Sequence, residues 1–193
     1  MDQIPSDRLS IEECNTLLWV ARHALESEIR GEDQLPIDAN NLTEKLELNG
    51  ASFVTLTING QLRGCIGSID AYQPLVEDVR EHAISAATQD YRFPRVKPEE
   101  LSAILIEISY LTPQMPLNYE DGDDLIEKLQ PGRDGVVISD GFRRATFLPQ
   151  VWEKLPDPKV FLSHLCSKMG ASPNAWQTKK LTVSVYQVQE FHE

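Results

Sequence analysis

The run Phe53-Val54-Thr55-Leu56-Thr57-Ile58-Asn59-Gly60-Gln61-Leu62-Arg63-Gly64-Cys65-Ile66-Gly67-Ser68 decides the fold class. Phe53 to Ile58 is rich in β-branched residues, and Asn59-Gly60 is a strong signal for a two-residue hairpin loop. In such a loop Ile58 faces Gln61, Leu56 faces Arg63 and Val54 faces Cys65. Facing residues share a sheet face, so both faces of this hairpin carry apolar groups and the strand pair is expected to be covered, at least in part, on both sides. Two glycines inside the second strand cost conformational entropy. A bulge, a left-handed backbone angle, or close approach by a ligand or another backbone would account for them.

Outward from the hairpin, helices and further strands alternate. On the N-terminal side, Ser10 and Glu13 have capping-box spacing, and Ile11, Cys14, Leu17, Leu18, Ala21, Leu25 and Ile29 recur at helical period up to Gly31. A polar connection through Pro36, Asn40 and Asn41 and a short helical turn near Leu42 to Leu46 follow. On the C-terminal side, Pro74 opens a helix with Leu75, Val76, Val79, Ala83 and Ala86 on its apolar face and Glu77, Asp78, Arg80 and Glu81 mostly opposite. Ile104 to Tyr110 is an apolar strand in which Glu107 alternates to the other face.

Residues 112–122, with Pro113, Pro116 and Asn118, read as a linker or excursion. Beyond it come a short helix (Asp123 to Leu129) and a hairpin, Val136 to Ser139 and Phe142 to Leu148 about Asp140-Gly141. A helix capped by Asp157-Pro158, a brief turn at Ser172-Pro173 and a strand from Leu181 to Val188 complete the pattern. Antiparallel hairpins mixed with helices predict an α+β fold. The expected organisation is a single two-lobed domain over residues 1–193, with its lobe junction near 112–122.

Composition excludes several classes. The formal net charge is -12, so nucleic acid is not an expected partner. No apolar run is long enough to span a membrane, and the segment from Met1 to Leu9 has no apolar core for a secretory signal. Three scattered cysteines, Cys14, Cys65 and Cys166, suit a reducing compartment, and a cytoplasmic location is expected. Metal-ligand spacings, phosphate loops and dinucleotide fingerprints are missing, so no metal and no cofactor are expected.

The chemistry-bearing run is Arg63-Gly64-Cys65-Ile66-Gly67-Ser68. A guanidinium near the thiol favours thiolate, and backbone N–H groups at Gly67 and Ser68 suit an anion. That combination describes a nucleophile beside an oxyanion site. In the structural alternative the glycines shape a bend and Cys65 packs against Val54. Asp90 and Arg92, in the irregular segment after the second helix, either line a cleft or pair with each other. Glu107 neutralises Arg63 or Arg92, acts as a base, or points to solvent. His82 and His164 read as surface or rim residues, and Cys14 and Cys166 as core.

Taken together, Gly50 to Leu56, Leu62 to Ser68, Asp90-Tyr91-Arg92-Phe93-Pro94, Ile106 to Pro113, Arg133-Asp134-Gly135-Val136, Leu148-Pro149-Gln150-Val151 and Phe161 to Lys168 resemble the AmmeMemoRadiSam system protein A family. The family is also named for the human Alport syndrome, intellectual disability, midface hypoplasia and elliptocytosis chromosomal region. The resemblance covers residues 10 to 190. It implies a two-lobed α+β fold with a smaller second lobe and a pocket between lobes at Arg63, Gly64, Cys65, Gly67 and Ser68. It brings no established activity, and it suggests Memo-like and radical SAM proteins as pathway partners. Arg95, and Arg143 to Thr146, depart from the family's usual residues and add positive charge.

Two functions follow as expectations. One is a protein that binds an unidentified small anionic ligand, and that in its sharper form is a thiol-dependent enzyme. Its catalytic residues are Cys65, Arg63 and Glu107, and its ligand-binding residues are Arg63, Gly64, Gly67, Ser68, Asp90 and Arg92. The other is a non-catalytic adaptor in which the glycine-cysteine signature serves the fold and partner recognition.

Overall fold

The computed structural model describes residues 8–37 and 42–193; the expectations for Asn40 and Asn41 and for Met1 to Asp7 lie outside them. The architecture is α+β, in two compact units. One takes the chain up to Thr112 together with Gln189–Glu193, and the other is Pro113–Val188.

In the first unit, helix α1 (Ile11–Arg30) starts where the capping box predicts. The Ser10 hydroxyl accepts from the Glu13 N–H, the Glu13 carboxylate accepts from the Ser10 N–H, and Gly31 ends the helix in the left-handed region. A single turn, α2 (Glu44–Glu47), precedes strand β1 (Asn49–Ile58). The Asn59-Gly60 turn, with positive φ at both residues, leads into β2 (Gln61–Gly67). The short β3 (Gln73–Pro74) pairs with the start of β1. Helix α3 (Leu75–Thr88) and a 3₁₀ turn at Pro98–Ala103 then lead to β4 (Ile104–Leu111), antiparallel to β1 from Ala51↔Leu111 to Ile58↔Ile104. Val54, Leu56, Ile106 and Ile108 on one sheet face pack with Leu17 and Leu25 of α1 and Val79 and Ala83 of α3 into a fully buried core.

The hairpin departs from the simple register. Ile58↔Gln61 and Thr57↔Leu62 pair as expected, but the next pair is Leu56↔Gly64. Arg63 is therefore the extra residue of a β-bulge, and every later pair slides by one. Cys65 lies opposite Thr55 instead of Val54, and Ile66 lies opposite Val54. The physical cause is helix α3. A Cβ on Gly64 would stand 2.1 Å from the Ala86 carbonyl oxygen, so the position facing the helix must be glycine. Without the bulge Arg63 would occupy that position.

In the second unit, β5 (Met115–Pro116), α4 (Gly122–Lys128), β6 (Gly135–Ser139), β7 (Arg144–Phe147), α5 (Pro158–Lys168), α6 (Ala175–Thr178) and β8 (Thr182–Tyr186) build an antiparallel sheet in the order β5-β8-β6-β7, flanked by the helices. Its core includes Leu125, Ile138, Leu162, Leu165 and Cys166, with the Trp152 ring stacked 3.6 Å from that of Phe161. Residues 112–122 are more than a linker, because Met115-Pro116 forms the sheet edge. The strand expected from Leu181 to Val188 ends at Tyr186, and a further strand outside that expectation follows it. β8 stays in this sheet, while β9 (Val188–His192) adjoins β4 in the first unit, giving the order β2-β1-β4-β9. Among the described residues no helix is long and apolar enough to cross a membrane.

Two measurements check this packing. Gly64→Ala is expected to destabilise the protein by about 2–3 kcal/mol in urea titrations, through overpacking against a backbone oxygen; an unchanged midpoint would show that strand and helix do not approach this closely. Asp134 is buried, with the N–H of Gln130 donating to its carboxylate, and burial pushes its pKa up. A raised carboxyl pKa means the folded state holds the proton more tightly. The associated stability is present at low pH and is lost as pH rises through the raised value. Asp134→Asn keeps an acceptor for Gln130, so melts between acidic and neutral pH should lose part of this slope.

Candidate functional site

The bulge sets the site. β1 runs between β2 and β4, so the pairs Cys65↔Thr55 and Thr55↔Glu107 place Cys65, Thr55 and Glu107 in one row on the face opposite the helices. All three are half-buried. The Thr55 hydroxyl donates to Cys65 Sγ at 3.3 Å. Cys14 and Cys166 are buried in the two cores, as expected, and burial raises both thiols above their ordinary value. Cys65 is thus the accessible cysteine of the three.

Arg63 points away from this row. Its Nε and Nη2 donate to the Glu100 carboxylate at 2.7 and 3.1 Å, while its Nη1 is buried without a partner. This bidentate guanidinium holds the Glu100 carboxyl below its usual range. Glu100 also accepts from the Lys97 N–H at the start of the 3₁₀ turn. The cation expected beside the thiol instead ties the bulge to the segment that precedes β4.

Asp90 and Arg92 act on the backbone of the signature. β2 is an edge strand, and the outward N–H of Cys65 donates to Asp90 Oδ2 at 2.9 Å. Arg92 chelates the same carboxylate through Nε and Nη2 and reaches the Cys65 carbonyl at 3.4 Å. The Arg92 guanidinium holds the Asp90 carboxyl far below the ordinary range against an opposing push from burial, with N–H donors from Cys65 and Arg92 adding to the effect. Side chains thereby replace the missing neighbouring strand at Cys65.

The glycines and Ser68 have local roles as well. Gly67 lies opposite Phe53, and a Cβ there would stand 2.4 Å from both the Phe53 ring and the Ser52 carbonyl. The Ser68 N–H, expected to face an anion, donates to the Ser52 carbonyl, and its hydroxyl closes a turn with Asp70. Of the alternatives for Glu107, neutralising Arg63 or Arg92 is not met: it pairs with neither and forms no ion pair or hydrogen bond among the described residues.

A second polar cluster lies beneath the sheet. Asp78 and His82, one helical turn apart on α3, are buried, contrary to the exposed positions expected of both. Asp78 Oδ2 accepts from the Ser52 hydroxyl at 2.6 Å and stands 3.2 Å from His82 Nδ1, while Asp78 Oδ1 has no partner. His164 is exposed, as expected. Thr55, Glu100 and the Ser52–Asp78–His82 cluster escape the sequence reading. The one local signal among them is the Asp78/His82 spacing of four. Among the described residues no group of His, Cys, Asp and Glu suits a metal ion.

The Asp90 clamp has a measurable signature. Its carboxyl pKa is depressed in the folded state, so its stabilisation is present at neutral pH and is lost as pH falls below about 4. Asp90→Asn should cost about 1–3 kcal/mol at neutral pH and give a shallower acid limb in denaturation than the wild type. An equal loss at every pH would show that the charge contributes nothing.

Comparison with known proteins places this geometry in a family. A family model described as AMMECR1 matches residues 18–191. A protein from Methanothermobacter thermautotrophicus is 40% identical over 186 residues, 96% of each chain, and one from Methanopyrus kandleri is 37% identical over 199 residues, 97% of this chain and 91% of that one. The crystal structure of an uncharacterized protein from Pyrococcus horikoshii matches with a TM-score of 0.73 at 31% identity, covering 92% of this chain and 89% of that one. Its signature run, its two-unit α+β fold and these matches along nearly its full length make the chain a member of the AMMECR1 family.

Proposed function

We propose that this protein binds a small molecule on the sheet face carrying Cys65, Thr55 and Glu107, and that it acts on that molecule through the Cys65 thiol. The observation that carries the reading is the state of Cys65. Cys65 is half-buried and its Sγ accepts from the Thr55 hydroxyl, whereas its neighbours in the signature are occupied with packing, backbone or ion-pair contacts. Arg63 is engaged by Glu100, Gly64 admits helix α3, Gly67 lies under Phe53 and the Cys65 peptide is clamped by Asp90 and Arg92. These contacts fix the backbone beneath the thiol, as positioning a nucleophile requires. In this reading Cys65 attacks an electrophilic centre and Glu107 accepts a proton. Memo-like and radical SAM proteins are its proposed pathway partners.

The packing role of the two signature glycines favours a second reading, the non-catalytic adaptor in which the motif serves the fold and partner recognition. The two part on reactivity. In the folded protein, Cys65 is expected to alkylate with iodoacetamide at least about tenfold faster than Cys14 and Cys166, followed by peptide mass mapping. A Cys65 rate as slow as that of the buried pair would leave the adaptor reading standing. Under the ligand reading, a metabolite that copurifies with the wild type is also expected to be lost in Cys65→Ser.

A further inference from the structure

We propose that the groove between the β4 edge and α1 is a strand-recognition site, and that two copies of this chain exchange β9 through it. The inference is independent of the Cys65 reading, because it concerns the opposite edge of the sheet and its helix side.

The order β2-β1-β4-β9 makes β9 the outer strand beside β4. Side chains of a strand alternate, and here every second residue is read by a different part of the first unit. Gln189 Nε2 donates to the Leu9 carbonyl at 3.0 Å, and its Oε1 accepts from the Leu9 N–H at 2.8 Å. Nε2 also reaches Cys14 Sγ at 3.5 Å. Phe191 packs on the core of the unit. The Glu193 carboxylate accepts from Nε and Nη2 of Arg22 and from the Ile106 N–H, while its own N–H donates to the Ile106 carbonyl. Arg22 is held in place for that carboxylate, because Nη1 and Nη2 also donate to the carbonyls of Leu101 and Ile104. Between these anchors Glu190 and His192 are exposed.

The anchors keep step with the helix. Gln189 to Glu193 rises about 13 Å as a strand, and Cys14 to Arg22 rises about 12 Å as a helix. An amide, an aromatic ring and a carboxylate at alternate positions of an extended chain therefore meet matched partners. Main-chain hydrogen bonds supply affinity in such a groove and the alternate side chains supply selectivity.

The occupant follows from the sequence. Gln189-Glu190-Phe191-His192-Glu193 satisfies all three anchors, and a second copy carries the same segment. A single residue, Gln187, joins β8 to β9, so the strand is tied by the chain to one unit and by its contacts to the other. A hinge this short invites delivery of the strand to a neighbouring copy. The exchange is reciprocal: each copy gives one β9 and receives one, which closes a two-fold pair. Within one chain the strand acts at a high effective concentration, so the closed form dominates until that strand is weakened.

Complementation between full-length chains tests this. Phe191→Ala weakens the strand and keeps the groove, whereas Arg22→Ala weakens the groove and keeps the strand. Each variant alone is expected to sediment mostly as monomer. Mixed in equal amounts at micromolar concentration, with one copy isotopically labelled, they should give a heterodimer at least about tenfold more abundant than either homodimer by native mass spectrometry. An excess of a synthetic peptide of residues 188–193 should dissolve it. Circular dichroism checks the fold of each variant, and Glu193→Gln serves as the strand variant if loss of the Phe191 ring unfolds the chain. A mixture no more dimeric than its components would overturn the exchange. A heterodimer that survives the peptide would put the contact elsewhere and overturn it as well.

Discussion

A bulge of one residue governs the first unit. The side chains of a strand alternate with period two, so the insertion of Arg63 reverses which residues of β2 face the helices and which face away. Downstream of it Gly64 meets the Ala86 carbonyl, and Cys65 joins Thr55 and Glu107 on the opposite face. Remove the bulge and a long charged side chain would be driven into a helix backbone, while the sulfur would turn into the aliphatic core beside Val54. The packing of α3 on the sheet and the composition of the candidate site are two results of the same register.

The electrostatics follow a consistent pattern of local matching. Arg63 and Arg92 lie near the signature, and each is held by a carboxylate that also accepts a backbone N–H, from Lys97 at Glu100 and from Cys65 at Asp90. Such sharing makes each ion pair a brace for the chain as well as a charge contact. Among the described residues of this sheet and its helices, matching is incomplete at Glu107 on the outer face, at Asp78 Oδ1 beneath it and at Arg63 Nη1. The first is half-exposed; the second is sealed between β1 and α3.

Much of this was legible in the residues. Capping at Ser10 and Gly31, the Asn59-Gly60 turn, the hairpin about Asp140-Gly141 and the Asp157 cap are decided by interactions within a few positions, and each stands where local chemistry places it. What escaped depends on contacts between distant segments. The bulge needs the Ala86 carbonyl, more than twenty positions away, to explain it. Asp78 and His82 look like members of a polar helix face until Ser52 of β1 supplies the partner that makes burial tolerable. A separation of two positions in sequence suggests that Arg63 stands beside the thiol. In a bulged strand its guanidinium goes to Glu100. The AMMECR1 signature was recognisable as a unit, but the division of labour among its members required the register.

The return of Gln189–Glu193 to the first sheet makes Pro113–Val188 an insertion, in chain order, between β4 and the last strand of that sheet. Glu193 accepts from the Ile106 N–H and pairs with Arg22 of α1, and Gln189 exchanges hydrogen bonds with the Leu9 backbone. A ribosome therefore delivers the whole inserted unit before the stitching strand of the surrounding one emerges. The inner unit can mature on the nascent chain while the outer sheet still lacks its last edge, and the completed sheet reports that synthesis has passed through everything in between.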